Sequence, residues 1–331
     1  MRIHERTWVS LLSWVALLVL FNACGDTGRP LKVGLVTWVG SGPFYLAEER
    51  DFFDGLEVEL EVLDDAAGRR SALASGALDA MLATVDDFAN AAAAGVPAVA
   101  VLKTDDSLGA DGIVAGSEIR SVAELAGKTI AFPQGMPSHF FLLNVAERNG
   151  LAISEVKPRF MEAGEAGGAF VAGKVDAAVT WEPWLSQASD REGGHVLATT
   201  REYPGLISDI LVVRRDVLFE RPADLVKLLS GWFRAVELWQ QEESASNRSM
   251  AAALGLAEDD FAAMVAGIKY ADLEENLAYF GVGEGGGSAF DLTFEAAGRA
   301  WEVAGLVRDA RPSAGFAEVS PLVQLASEEK Q

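Results

Sequence analysis

Short apolar runs alternate with helical stripes along most of this chain. KVGLVTW (Lys32–Trp38) and KTIAFPQG (Lys128–Gly135) have the near-continuous apolar character of strands covered on both faces. Each is followed by a helical pattern, PFYLAEERDFF after the first and SHFFLLNVAERNG after the second. A Gly-Leu pair and another strand come next, VELEVL after Gly55-Leu56 and VKPRFME after Gly150-Leu151. ALASGALDAMLAT (Ala72–Thr84) is then matched by AFVAGKVDAAVT (Ala169–Thr180): the end of a helix, a glycine, an aspartate and a buried strand. Gly76 and Gly173 suit the left-handed position that closes a helix, and Asp79 and Asp176 each follow three residues later. The chain thus contains an internal repeat whose halves both read strand, helix, strand, helix, strand. This predicts an α/β fold of two domains, each a mostly parallel sheet with right-handed crossovers and flanking helices.

Other segments complete the frame. AVAVLKT (Ala98–Thr104) reads as a further strand, and SDILVVRRDVL (Ser208–Leu218) as one that returns the chain from the second half. Ala223–Gln241 has apolar residues at 225, 228, 229, 232, 233, 236 and 239, one helical face that puts Trp232, Phe233 and Trp239 in the core. Pro222 fits the first turn of that helix, and Glu284–Ser288 (EGGGS) reads as a loop.

The strand ends differ in character from the strand interiors. The run VDAAVTWEPW (Val175–Trp184) passes from a plain buried strand to two indoles, a carboxylate and a proline. Its counterpart in the first half ends in Thr84, Val85, Asp86 and Asp87. The first strand ends in WVGSGPFY (Trp38–Tyr45), its partner in PQGMPSHF (Pro133–Phe140), and Ala98–Thr104 in DDSLGAD (Asp105–Asp111). Ligands of open α/β sheets bind outside the carboxyl ends of the strands, so two such halves facing each other would enclose a cleft. Pro183 is expected to shape the turn. Trp184 either packs under its loop or lines the cleft, and Asp105 and Asp106 are either ligand-facing or serve as helix caps or solvated loop charges.

Composition narrows the function. With 331 residues, half of them hydrophobic, the chain can bury two ordinary cores. Its net charge of −22, from 27 basic and 49 acidic residues without a basic cluster, argues against nucleic acid and anionic membrane surfaces as partners. The first residues carry Arg2 and Arg6 ahead of the apolar stretch Trp8–Phe21, too short for a membrane span and suited to a secretory signal. Cys24 follows; as the sole cysteine it has no disulfide partner in the chain. The segment resembles a bacterial lipobox, in which the cysteine is lipidated, although Phe21 stands where leucine is usual. An ordinary signal peptide with an incidental cysteine is the alternative. Residues 1–23 are thus expected to be a signal peptide and 24–30 a lipid-anchor tether, which places the protein on the periplasmic side of the cell envelope.

The order of these motifs is similar to that of a known family. A lipoprotein signal is followed by W-x-G-x-x-P-F-Y-L-A, A-L-A-S-G-x-L-D-A, S-x-G-A-D-G-I, L-A-G-K-T-I-A, G-x-x-S-H-F, F-V-A-G-K-V-D-A, T-W-E-P and a VV-R strand, roughly over residues 31–280. The chain resembles the substrate-binding lipoproteins of ABC importers in the nitrate/sulfonate/taurine group, also described as NMT1-like. The resemblance implies a two-domain periplasmic-binding-protein clamshell with two crossover strands. Domain I would be 31–112 plus 210–331 and domain II 113–209, with hinges near Gly112-Ile113 and Ser208-Asp209. The protein would be a monomer without cofactor or metal. It would hand a small-molecule ligand to a membrane permease and its ATPase. The implied ligand positions are Trp38, Ser41, Phe44 and Tyr45; Asp86 and Asp87; Ser107 and Asp111; Ser138 and His139; Thr180, Trp181 and Glu182; and Asp209. At the Gly135–Phe140 helix start, free N–H groups and the Ser138 hydroxyl would suit an anion.

Charge bears on the ligand. Asp86, Asp87, Asp105, Asp106, Asp111, Glu182 and Asp209 lie at strand ends, and the one basic residue identified near them is Lys103. This balance favours an amine-bearing or zwitterionic ligand, taurine-like or aminopyrimidine-like, over nitrate or bicarbonate, with Trp38 and Trp181 able to stack on it or face a cation. The competing readings on the same fold are an NMT1-like pyrimidine-synthesis enzyme and a ligand sensor. The enzyme reading calls for a cysteine- and histidine-bearing iron site, and beyond Cys24 the mature chain offers His139 and His195. HExxH, GxSxG and Walker signatures do not occur.

Overall fold

The computed structural model describes residues 28–283 and 287–328. The expected signal segment, Cys24 and part of the Glu284–Ser288 loop lie outside the described residues.

The repeat is built as its pattern implies. The first half runs β1 (Leu31–Leu35), α1 (Gly42–Glu49), β2 (Val58–Val62), α2 (Ala66–Ser75), β3 (Ala80–Thr84), α3 (Val85–Ala93) and β4 (Ala98–Ser107). The second runs β5 (Asp111–Gly116), β6 (Thr129–Phe132), α4 (Pro137–Arg148), β7 (Lys157–Phe160), α5 (Ala163–Val171), β8 (Ala177–Trp181), α6 (Trp184–Ser189) and β9 (Gly194–Thr199). The chain returns through β10 (Ser208–Arg214) and continues as α7 (Arg215–Glu220), α8 (Pro222–Gln241), α9 (Glu243–Leu254), α10 (Glu258–Val265), β11 (Ile268–Tyr270), α11 (Leu273–Tyr279), α12 (Ala289–Val303) and α13 (Ser320–Glu328).

Two sheets result, ordered β11-β4-β10-β3-β1-β2 and β7-β6-β8-β5-β9. β1 pairs in parallel with β2 and β3, and β6 with β7 and β8. The returning strand β10 is antiparallel to both β3 and β4, and β5 is antiparallel to β8 and β9. Each sheet is therefore mixed around its parallel repeat. Leu31, Val33 and Leu35 on β1, and Ala177 to Val179 on β8, are fully buried because helices cover these central strands.

Hydrogen bonding fixes the register of the repeat. Gly76 and Gly173 take left-handed φ values of 83° and 68° where α2 and α5 end. Asp79 accepts from the backbone N–H of Lys32 at 3.0 Å, and Asp176 from that of Thr129 at 2.7 Å. The same turn thus ties β3 to β1 and β8 to β6. These bonds align Lys32 with Thr129, one position beyond the Lys32–Lys128 match of the sequence pattern. In this register the counterpart of Thr84 is Trp181.

The chain leaves the first sheet after Ser107 and re-enters it at Ser208. Asp111 and Gly112, expected to close the first domain, already open β5, whereas Ser208 and Asp209 pair within the first sheet. The two connections are bonded to each other: Ser107 N–H donates to Ile207 O at 3.1 Å, and the Ser107 and Thr200 hydroxyls share a hydrogen bond of 2.7 Å.

The C-terminal helices pack on the first sheet. Trp232 of α8 is fully buried, its ring 4.7 Å from that of Phe44 on α1. Phe233 and Trp239, expected in the core with it, are half-buried at the rim, where the Trp239 indole donates to Asn247. Asn276 of α11 closes a gap in the β4 ladder. Its Oδ1 accepts from Lys103 N–H at 2.7 Å and its Nδ2 donates to Lys103 O at 2.9 Å. Asn276→Ala would strand both backbone groups of a buried strand. We expect it to destabilise the protein by about 2–4 kcal/mol in urea denaturation, with ligand specificity unchanged.

Candidate functional site

Between the carboxyl ends of the two sheets lies a narrow cleft of about 380 Å³ including its mouth. The first sheet supplies Val36 and Trp38 after β1, Leu82 to Thr84 at the end of β3, and Asp87 from the first turn of α3. Arg69 enters from α2, and Ile207 and Asp209 from the start of β10. The second sheet supplies Asp111, Met136, Pro137 and Trp181. The two sides touch: Trp181 Nε1 donates to Thr37 O at 3.1 Å, and Asn90 Nδ2 of α3 donates to Gly135 O at 3.3 Å. α12 adds a third contact, with Trp301 donating to Asp86 O at 2.8 Å while its ring sits 5.5 Å from His139 and 5.8 Å from Phe140.

Of the residues expected from sequence, Trp38, Asp87, Asp111, Trp181 and Asp209 line this cleft. The others have different places. Ser41 donates to Trp38 O, Phe44 belongs to the core against Trp232, and Tyr45 packs half-buried beside that core. Ser107 bonds Thr200, and Thr180 donates to Ala163 O. Glu182 accepts from the N–H and hydroxyl of Ser186, so it caps α6 instead of facing a ligand. At the start of α4, Met136 and Pro137 face the cleft, while Ser138 and His139 are buried off it. His139 Nδ1 accepts from Gly135 N–H at 3.3 Å, and burial lowers its pKa to about 4. Trp184 lies edge-on to Trp181 and against Gly164, away from the cleft.

The charges also sort differently from a count of strand ends. Asp106 is paired with Lys103 at 2.6 Å and Asp87 with Arg70. Asp86, Asp105, Asp111 and Asp209 form no ion pair among the described residues. The ladder sets Asp209 opposite both Thr84 and Asp105. Asp86 Oδ2 and both oxygens of Asp105 are buried without a hydrogen-bond partner. Burial above all, and then the neighbouring carboxylates, raise these acids: Asp86 to about 8, Asp105 and Asp111 to about 7, and Asp209 well above its ordinary value.

Arg69 corrects the expectation that Lys103 is the one nearby base. It is 1% exposed and lines the cleft. The buried stripe of α2 is Ala66, Arg69 and Leu73, so helical spacing alone was the signal that an arginine points inward. The remaining cleft residues missed from sequence, among them Val36, Leu82 and Met136, are apolar and had no chemical signature.

The sequence model of the NMT1-like family matches residues 26–256, more than two thirds of the chain. The chain belongs to the NMT1-like family. This NMT1-like chain is 27% identical over 248 residues to the "Putative aliphatic sulfonates-binding protein" of Bacillus subtilis (strain 168), covering 70% of this chain and 74% of that one. Its fold is that of the alkanesulfonate-binding protein SsuA from Xanthomonas axonopodis pv. citri, solved bound to MOPS, with a TM-score of 0.73, 19% identity, and 88% and 98% of the two chains covered. The desulfurization enzyme DSZB shares the fold, with a TM-score of 0.64, 15% identity, and 91% and 100% coverage. The fold of this NMT1-like protein therefore serves binding and catalysis alike, and its cleft must decide between them.

The raised acids make the free protein sensitive to alkali. Below about pH 4 folded and unfolded chains both hold these protons; as pH rises the unfolded chain releases them first, and the native state loses that stability until its own groups ionise near pH 7–8. The melting temperature of the ligand-free protein should therefore rise as pH falls from 8 to 5. Asp86→Asn, which mimics the protonated group, should stabilise the protein at pH 8 by at least about 1 kcal/mol and flatten the slope. A pH-independent melting profile in the native protein would contradict this.

Proposed function

We propose that this protein is the extracytoplasmic solute-binding component of an ABC importer and that its cleft captures a small amine-bearing or zwitterionic solute. The observation that carries this reading is a group of four neighbouring carboxyls with no basic side chain paired to any of them among the described residues: Asp111 and Asp209 line the cleft, and Asp86 and Asp105 are buried behind its wall within electrostatic reach of Asp209. Buried acids so close together are held neutral at a cost, and an ammonium or amidinium from outside turns that cost into attraction. Trp38 and Trp181 supply aromatic faces for such a group. Family membership and the sulfonate-binding names of the relatives support the importer role.

In this reading, the segments flanking Leu108–Ala110 and Thr200–Ile207 are the hinges between domain I and domain II, and the lobes close on the solute by bending there. The chain is secreted, lipid-anchored through Cys24 on the periplasmic side, monomeric, and read in its closed form by a permease with its ATPase. The enzyme reading is weighed against this by recovering the bound solute: a binding protein returns it chemically unchanged.

The test is a thermal-shift and calorimetric screen of the purified protein at pH 7 with taurine, alkanesulfonates, aminopyrimidines, simple amines, nitrate and bicarbonate. A ligand at one hundred times its dissociation constant adds about 2.7 kcal/mol of stability. Amine-bearing compounds should stabilise the protein and release protons, read as a binding enthalpy that changes with the ionisation enthalpy of the buffer. Nitrate or bicarbonate binding alone, with proton uptake, would overturn the amine assignment.

A further inference from the structure

The guanidinium of Arg69 is tied down on one side and unpartnered on another. Its Nη1 donates to Leu63 O at 2.6 Å, which fixes the side chain along α2. Its Nη2 stands 3.7 Å from Asp87 Oδ2, beyond hydrogen-bonding distance, and its Nε–H, buried, has no hydrogen-bond partner. Asp87 does not consume this edge, because its Oδ1 is held by Arg70 and its Oδ2 accepts no hydrogen bond. Glu162 senses Arg69 electrostatically but forms no ion pair with it among the described residues. Two guanidinium groups thus face one carboxylate, leaving one positive charge uncompensated at the wall of an otherwise acidic cleft. The Nε–H and Nη2–H edge is the side by which arginine grips a two-oxygen anion.

Resting on the importer reading above, we infer that Arg69 is the anchor for an oxyanion on the solute, so that the cleft selects short dipolar molecules with a carboxylate, sulfonate or phosphonate on Arg69 and an ammonium at Asp111 and Asp209. Asp111 and Asp209 line the same cleft as Arg69, and Val36, Leu82 and Met136 supply apolar walls for a methylene chain between the two ends.

The experiment compares matched probes by calorimetry: β-alanine, 4-aminobutyrate and taurine, carrying both charges, against propylamine and ethanesulfonate, carrying one each. The native protein should bind at least one dipolar probe about tenfold or more tighter than propylamine. Arg69→Gln should erase that preference, bringing the ratio of dipolar-probe to propylamine affinity down to about one. Arg69→Lys keeps the charge but not the fork, and should lose most of the preference; it serves where the glutamine variant does not fold. Equal affinity for propylamine and the dipolar probes in the native protein would overturn the Arg69 assignment and leave the importer reading standing. So would a variant that weakens both probe types equally, or a folded Arg69→Lys that keeps the full preference. Binding of none of these probes would overturn this inference, and the wider screen would then decide the importer reading separately.

Discussion

Several buried acids without a basic partner are the constraint on which the rest of this molecule depends. A carboxylate moved out of water loses far more than a neighbouring dipole returns, so burial favours the protonated forms of Asp86, Asp105 and Asp209. Their closeness is a product of topology. β10 returns antiparallel between β3 and β4, and so brings its first aspartate opposite Thr84 and Asp105. A parallel strand in that place would bring its other end to the cleft. The chemistry of the cleft is therefore set by the direction of one strand.

The rest of the fold holds this arrangement in position. Asp79 and Asp176 tie corresponding turns of the repeat to the first strands of each half, so the two cleft walls are built by the same local device. Because the connections between the sheets are bonded to each other through Ser107, Thr200 and Ile207, they form one narrow waist. The proposed importer reading uses that waist as the hinge about which the lobes move as bodies while the strand ends keep their internal geometry.

Much of this was legible in the residues. The repeat, the closing glycines, the returning strand and the amphipathic α8 all follow from local rules: helical spacing, strand burial and the need for a left-handed residue where a helix stops. Trp38 and Trp181 at the cleft were legible as well, since each lies at or just beyond the carboxyl end of a parallel strand, Trp38 after β1 and Trp181 at the end of β8. What was not legible is pairing. Asp106 and Glu182 count as cleft charges in the sequence, yet one is neutralised by Lys103 and the other caps a helix through Ser186. Arg69 was lost in the opposite way: as one of two consecutive arginines on a polar helix it looks solvated, and only its place beside Ala66 and Leu73 turns it inward. The one-residue offset between Lys128 and Thr129 has a like origin, because apolar similarity aligns strands loosely and a hydrogen bond aligns them to the residue.

In the proposed importer reading, the contacts across the cleft are the means by which the site senses occupancy. Trp181 reaches over to Thr37, Asn90 to Gly135, and Trp301 lies between Asp86 O and the ring of His139. At least one side of each contact is the cleft lining itself or its immediate neighbour. Thr37 precedes Trp38, Asp86 precedes Asp87, and Gly135 precedes Met136. Any displacement that opens the lobes must break these bonds, and any solute that draws the walls together must favour them. In that reading ligand affinity and lobe closure are two readings of one equilibrium, because a solute shifts the lobes only by as much as it binds the closed form better than the open one.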